Sequence, residues 1–239
     1  MDTQTVTPVA SAPILELDLI ADLACPWSFL GKRSLERALG NLYGLPVRAL
    51  RWHGFRAHAD NALTHGDQAQ SWREHLAKRL PPGVSVDFAQ KSLAEAGEAL
   101  GIHFDFSRLE RLPDTTEAHR LVTLAAREEK HNEVADALFR AFFEQGRNIG
   151  DHAVIEAVAR ESGLGADTLA AFANLEEARD TVAADEKRLR GFGVTATPNL
   201  LINGRVLVPG PADVSTYVQA LDQALFPQLP EPADKKHLH

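Results

Sequence analysis

The 239-residue sequence predicts an α/β fold in which a large all-helical insertion interrupts a small sheet. Three observations carry that prediction. Apolar residues alternate near the N-terminus, at Leu15, Leu17 and Leu19, as they do on one face of a strand. A long central stretch switches to helical spacing, clearest at Val134, Ala137, Leu138, Ala141 and Phe142, which recur at i, i+3, i+4, i+7 and i+8. After Pro198 the period returns to two, on either side of Asn203-Gly204, a pair that supplies the positive φ of a tight hairpin turn.

The elements follow in order. Residues 1–13, rich in Thr, Ser, Pro and Ala, read as a flexible lead-in, and Ile14 to Ile20 as the first strand. Cys25-Pro26 opens a helix, because proline's missing N–H costs nothing at the first helical position. Leu35, Ala38 and Leu39 mark its buried face and Gly40 its stop. Val47 to Phe55 is a second strand, with Val47, Ala49 and Trp52 assigned inward. Ser71-Trp72-Arg73-Glu74 is a capping box, and Pro81-Pro82-Gly83 ends the helix it starts. Phe88 to Leu100 is a helix with Leu93, Ala96 and Leu100 on its apolar side; Thr116 to Glu129 is the next. Asp151 caps a helix carrying Val154, Ile155 and Val158 that ends at Gly163. Asp167 begins a short helix, and Leu175 to Arg190 is another, closed by Gly191. The hairpin Asn199–Ile202 and Arg205–Val208 precedes a final helix, Val214 to Leu225. The expected division is 14–56 with 191–226 for the α/β unit and 57–190 for the insertion, with flexible ends at 1–13 and 227–239.

Composition narrows the function. Hydrophobic content of 44% and charged content of 24% are ordinary for a globular chain. A net charge of −8 argues against a general nucleic-acid binder, which needs a basic face. No stretch reaches the roughly 18–20 apolar residues that span a bilayer, and residues 1–13 lack the basic and apolar regions of a secretory signal. A single cysteine excludes an intramolecular disulfide. The expectation is a cytoplasmic protein without a membrane or nucleic-acid partner. There is no His-Glu-x-x-His pattern and no cysteine cluster, so no metal site is expected. Gly31, Gly101 and Gly163 read as helix or turn punctuation, not as a dinucleotide-binding loop.

The segment Asp22 to Gly31 carries the chemistry. It sets Cys25 after a strand and at a helix start, where unpaired N–H groups and the helix dipole favour a thiolate, the attacking species in disulfide exchange. That position outweighs the alternative of an inert buried cysteine. Ser28 lies on the same side of the first turn. Its hydroxyl either donates to the thiolate or satisfies a helix-start N–H. Trp27 is a stacking surface or a cover for the loop. His119 is a cleft residue or a structural hydrogen-bonder, with the structural role favoured.

Cys25-Pro26-Trp27-Ser28 resembles the Cys-Pro-x-Cys loop of DsbA-like proteins, with Ser28 in place of the second cysteine. Asp22 to Gly31 followed by Lys32-Arg33 resembles the FrnE subfamily of dithiol–disulfide isomerases. So do Pro113-Asp114-Thr115-Thr116-Glu117-Ala118-His119-Arg120-Leu121, the run Ala137 to Phe143 with Asp151, and Gly193-Val194-Thr195-Ala196-Thr197-Pro198. The ordered set spans about Asp22 to Leu225. The resemblance implies a thioredoxin-like fold with a DsbA-like helical insertion capping a cleft at Cys25. It also implies a cis Pro198 facing Cys25, which leaves the Thr197 backbone free to pair with an extended peptide or glutathione. Without it, Pro198 simply starts an edge strand.

The implied activity is that of a thiol-dependent oxidoreductase or isomerase acting through a mixed disulfide. Cys25 and Ser28 would be catalytic, and Pro26, Trp27, His119, Thr197 and Pro198 would bind substrate. With Ser28 in the loop, an outside thiol must resolve the mixed disulfide. Glutathione is therefore a candidate co-substrate, and no tightly bound cofactor is expected. The kappa-class glutathione transferases and 2-hydroxychromene-2-carboxylate isomerases share the architecture but place a serine where Cys25 stands. They supply a second reading, glutathione-dependent chemistry on a small aromatic compound. A binding module that has lost its resolving cysteine is a third. The partner is accordingly a thiol, a disulfide or a small molecule, and a homodimer is one option for the assembly.

Overall fold

A computed structural model describes residues 14–42, 47–57, 71–174 and 178–226. The expected lead-in, the tail and the Leu175 start of the helix before Gly191 lie outside them. The first strand, β1 (Leu15–Ala21), buries Leu15, Leu17 and Leu19 as its alternation requires. It sits inside a four-stranded sheet ordered β2-β1-β3-β4. β2 (Val47–Gly54) runs parallel to β1, so a crossover must join them, and α1 (Pro26–Asn41) supplies it. β3 (Asn199–Ile202) and β4 (Val206–Pro209) pair antiparallel across Asn203 and Gly204, whose φ values are 52° and 65°. The last helix, α9 (Val214–Leu225), is capped by the Asp213 carboxylate, which accepts from the Thr216 N–H at 2.7 Å. Its Tyr217 and Leu221 pack with Leu35 and Ala38 of α1 on the sheet residues Leu17, Leu19 and Leu200.

The chain between β2 and β3 is helical: α2 (Trp72–Ala77), α3 (Val86–Leu100), α4 (Thr116–Ala125), α5 (His131–Phe143), α6 (His152–Glu161), α7 (Ala166–Ala173) and α8 (Arg179–Gly191). Helices α2 to α7 share a core that includes Leu121, Val134, Leu138, Phe139 and Phe172. Phe29 of α1 enters it and stacks on Phe139 with ring centroids 4.8 Å apart. One helix thus serves two cores, its Leu35 side facing the sheet and its Phe29 side facing the helices. α8 returns to the sheet, where Leu189 packs with Ile20 and Phe55.

Several expected details are corrected. Val47 is 36% exposed because it begins an edge strand; Leu50 and Trp52 make the inward contacts of β2. On α3 the buried stripe runs through Ala89, Leu93 and Gly97, leaving Ala96 exposed. Phe104 lies so close over Gly97 that a Cβ there would come within 2.7 Å of its ring. The helix from Thr116 ends at Ala125, tightens into a 3-10 turn and stops at Glu129 in a left-handed conformation. Gly31 is not punctuation. It sits inside α1, whereas Gly101 and Gly163 do close helices with positive φ. No helix among the described residues is long and apolar enough to cross a membrane.

Candidate functional site at Cys25

β1 ends at Ala21, and the chain turns through Asp22 so that the Cys25 N–H donates to the Asp22 carbonyl at 3.0 Å. Cys25 is the N-cap of α1, in an extended conformation, and Pro26 follows at the helix start. The Asp22 side chain is 1% exposed and fixes three segments at once. Its Oδ1 accepts from the Ala24 N–H at 3.0 Å and from the Thr115 hydroxyl at 3.3 Å, and its Oδ2 accepts from the Ala57 N–H at 3.1 Å. The cysteine loop, the entry to α4 and the exit from β2 therefore meet on one carboxylate.

Facing this loop is the cis Thr197–Pro198 peptide. The Cys25 Sγ donates to the Thr197 carbonyl at 3.7 Å. Pro198 is buried against α1 at Gly31, where a Cβ would come within 3.0 Å of the Pro198 Cγ and 3.2 Å of the Tyr217 hydroxyl. Absence of a side chain at position 31 is what lets the proline edge lie on the cysteine helix. The resemblance anticipated the cis bond; the seat beneath it was not anticipated.

Ser28 is fully buried, and its Oγ accepts from the Asp22 N–H at 3.2 Å. The hydroxyl thus pairs with a backbone N–H of the turn before α1 and not with one at the helix start, and Ser28 also favours the Cys25 thiolate. That influence is outweighed. Burial pushes the Cys25 thiol above its ordinary value and the neighbouring Asp22 charge adds to the push, against the pull of Ser28 and Thr197. Burial and the Asp22 charge therefore work against the ionisation that the helix start was expected to favour.

Pro26, Trp27 and Thr197 line a small cleft at the sulfur together with Trp72, His75, Leu76 and Arg79, which come from α2 and the turn after it. His119 does not reach this cleft. It is fully buried behind Asp22, its Nε2 lying 3.9 Å from Asp22 Oδ1 while its Nδ1 accepts from the Trp52 indole at 3.4 Å. Gly54 makes room for it, since a Cβ there would come within 2.7 Å of the imidazole. Sequence reasoning missed the α2 residues and the role of Asp22. The capping box located α2, but nothing local shows that this helix lies over Cys25. Among the described residues, no group of three or more His, Cys, Asp or Glu is arranged to hold a metal ion.

Comparison with known proteins agrees with this geometry. Residues 16–222 match the DSBA-like thioredoxin domain family. The uncharacterized protein YwbO of Bacillus subtilis (strain 168) is 25% identical over 214 residues, covering 87% of this chain and 96% of the relative. The crystal structure of a probable DsbA oxidoreductase, SCO1869 from Streptomyces coelicolor, superposes with a TM-score of 0.75 at 26% identity, over 91% of this chain and 93% of that one. The cytosolic disulfide reductase DsbM of Pseudomonas aeruginosa, solved with GSH, shares the fold at a TM-score of 0.56 and 21% identity, covering 88% and 96% of the two chains. A strand-to-helix cysteine facing a cis proline, beneath a helical block, is set in a chain that belongs to the DSBA-like thioredoxin domain family.

Proposed function

We propose that this protein is a single-cysteine thiol–disulfide oxidoreductase that carries its substrate as a mixed disulfide on Cys25 and is reset by glutathione. The observation that carries the reading is the Cys25 Sγ held 3.7 Å from the Thr197 carbonyl, beside the cis Thr197–Pro198 bond. A peptide or the glutathionyl group pairing with the Thr197 edge brings its sulfur to Cys25. The unit 14–56 with 191–226 supplies sulfur and edge, and 57–190 supplies the cover. The setting is the cytoplasm, where glutathione is abundant.

The steps balance with glutathione as the only co-reactant. Cys25 first loses its proton to solvent. The thiolate attacks the glutathione sulfur of a substrate R–S–S–G, a bond forms between the two sulfurs, and RS⁻ leaves with the electron pair of the broken S–S bond and takes up a proton. A second glutathione, as its thiolate, attacks the glutathionyl sulfur on Cys25. Oxidised glutathione departs and the Cys25 thiolate is restored. In sum, RSSG and GSH become RSH and GSSG. Ser28 stabilises the thiolate at both ends of the cycle.

Turnover of a glutathionylated peptide with reduced glutathione tests this. The wild-type protein is expected to release the free peptide thiol catalytically, and Cys25→Ala to be inactive. Tight binding of reduced glutathione with no turnover and no covalent species would overturn the reading in favour of glutathione-dependent chemistry on another compound.

A further inference from the structure

The cleft beside Cys25 contains a cation for which disulfide exchange itself has no use. Arg79 lies in the turn just past the C-terminus of α2, solvent-exposed, with its side chain lining the cleft. Its Nη2 donates to the Ala57 carbonyl at 2.5 Å, and the Ala57 N–H in turn donates to Asp22. The guanidinium is therefore tethered to the segment that holds the cysteine loop. Among the described residues this is its one side-chain hydrogen bond, which leaves most of its five N–H donors for a ligand.

Among the described residues no carboxylate pairs with Arg79, whereas Arg33, Arg51, Arg56, Arg73 and Arg120 each have an acidic partner. The only carboxylate lining the cleft among those residues is Asp22, already engaged by Ala24, Thr115 and Ala57. In a chain of net charge −8, an arginine that lines a small cleft with no carboxylate partner among the described residues is a local reversal of the prevailing field. Thr197 also lines the cleft, and its buried hydroxyl has no hydrogen-bond partner among the described residues. A ligand that carries a sulfur, a polar group and an anion fits this cleft.

We propose that Arg79 binds a terminal carboxylate of the glutathionyl group and is thereby a specificity-determining residue for the disulfide that reaches Cys25. The inference rests on the exchange reaction proposed for Cys25 and adds to it the anchor that distinguishes glutathione from other disulfides. A planar guanidinium meets a carboxylate through two parallel hydrogen bonds, which a lysine reproduces only as a point charge.

The test is the rate of Cys25 adduct formation with three disulfides that differ in charge: oxidised glutathione, neutral hydroxyethyl disulfide and cationic cystamine. Arg79→Gln is expected to slow the reaction with oxidised glutathione about tenfold, equivalent to about 1.4 kcal/mol. It leaves the neutral disulfide unchanged and speeds cystamine. Arg79→Lys recovers part of the loss, and added salt narrows the gap between wild type and Arg79→Gln. Equal slowing with all three disulfides, or no slowing with glutathione, overturns the role of Arg79 while leaving exchange at Cys25 standing. A wild-type protein that forms no adduct with any of them overturns the exchange reaction, and the anchor with it.

Discussion

The Cys25 Sγ and the Thr197 carbonyl oxygen, 172 residues apart in the chain, meet at 3.7 Å. The thiol donates, so the contact belongs to the protonated sulfur and is given up when Cys25 ionises. Burial and the Asp22 carboxylate hold the thiol above its ordinary value. Alkylation of Cys25 by iodoacetamide is therefore expected to be slow at pH 7 and to keep rising beyond pH 9. A rate already at its plateau near neutrality would show that the helix start dominates instead.

Asp22→Asn removes the charge but keeps the shape. Neutral-pH alkylation is expected to rise several-fold, because less repulsion opposes the thiolate. The variant loses roughly 1–3 kcal/mol of stability, since an amide nitrogen meets donors that had an acceptor. A variant that is merely less stable, with an unchanged alkylation profile, would confine Asp22 to holding segments together.

Gly31→Ala places a methyl group 3.0 Å from the Pro198 ring. The proline edge must shift away from α1, so adduct formation with oxidised glutathione, which needs that edge, is expected to fall more than alkylation by iodoacetamide, which does not. Overpacking of this kind costs about 1–3 kcal/mol. Equal effects on both reagents would mean that the edge does not dock the disulfide.

His53 bridges Asp185 at 2.6 Å and Asp18 at 2.8 Å, tying β2 to α8 and to β1. Burial alone would lower its titration, but the two carboxylates prevail and raise it; Asp18 and Asp185, facing Arg51 and Arg188 as well, are lowered. The histidine's contribution is thus complete below its unfolded value of about 6.5 and is lost as pH rises through the raised folded value. The aspartates' contribution is present above about 3.9 and is lost as pH falls through their depressed values. Thermal melts are expected to show wild type most favoured over His53→Gln in the mildly acidic range, by roughly 1.5–3 kcal/mol. A difference independent of pH would contradict the charged bridge.

Most of the fold was legible because its signals are local. Alternation at Leu15, Leu17 and Leu19, the Ser71 cap and Asn203-Gly204 each need only neighbouring residues, and α9 runs over the predicted Val214 to Leu225. Details failed where a distant partner decides, as where Phe104 selects Gly97 over Ala96 or where sheet order leaves Val47 at an edge. The site followed the same rule. Cys25 and Pro198 were found from motifs. The cleft wall formed by Trp72, Leu76 and Arg79, and the burial that raises the thiol, arise only when the helical block folds over the loop.

Intact-protein mass spectrometry of wild type and Cys25→Ala, each mixed with oxidised glutathione above pH 9 and then with excess reduced glutathione, tests the central claim most directly. One glutathionyl adduct on wild type alone, removed by the second addition, is the predicted result. An unmodified wild-type protein under conditions where the sulfur is ionised would contradict it.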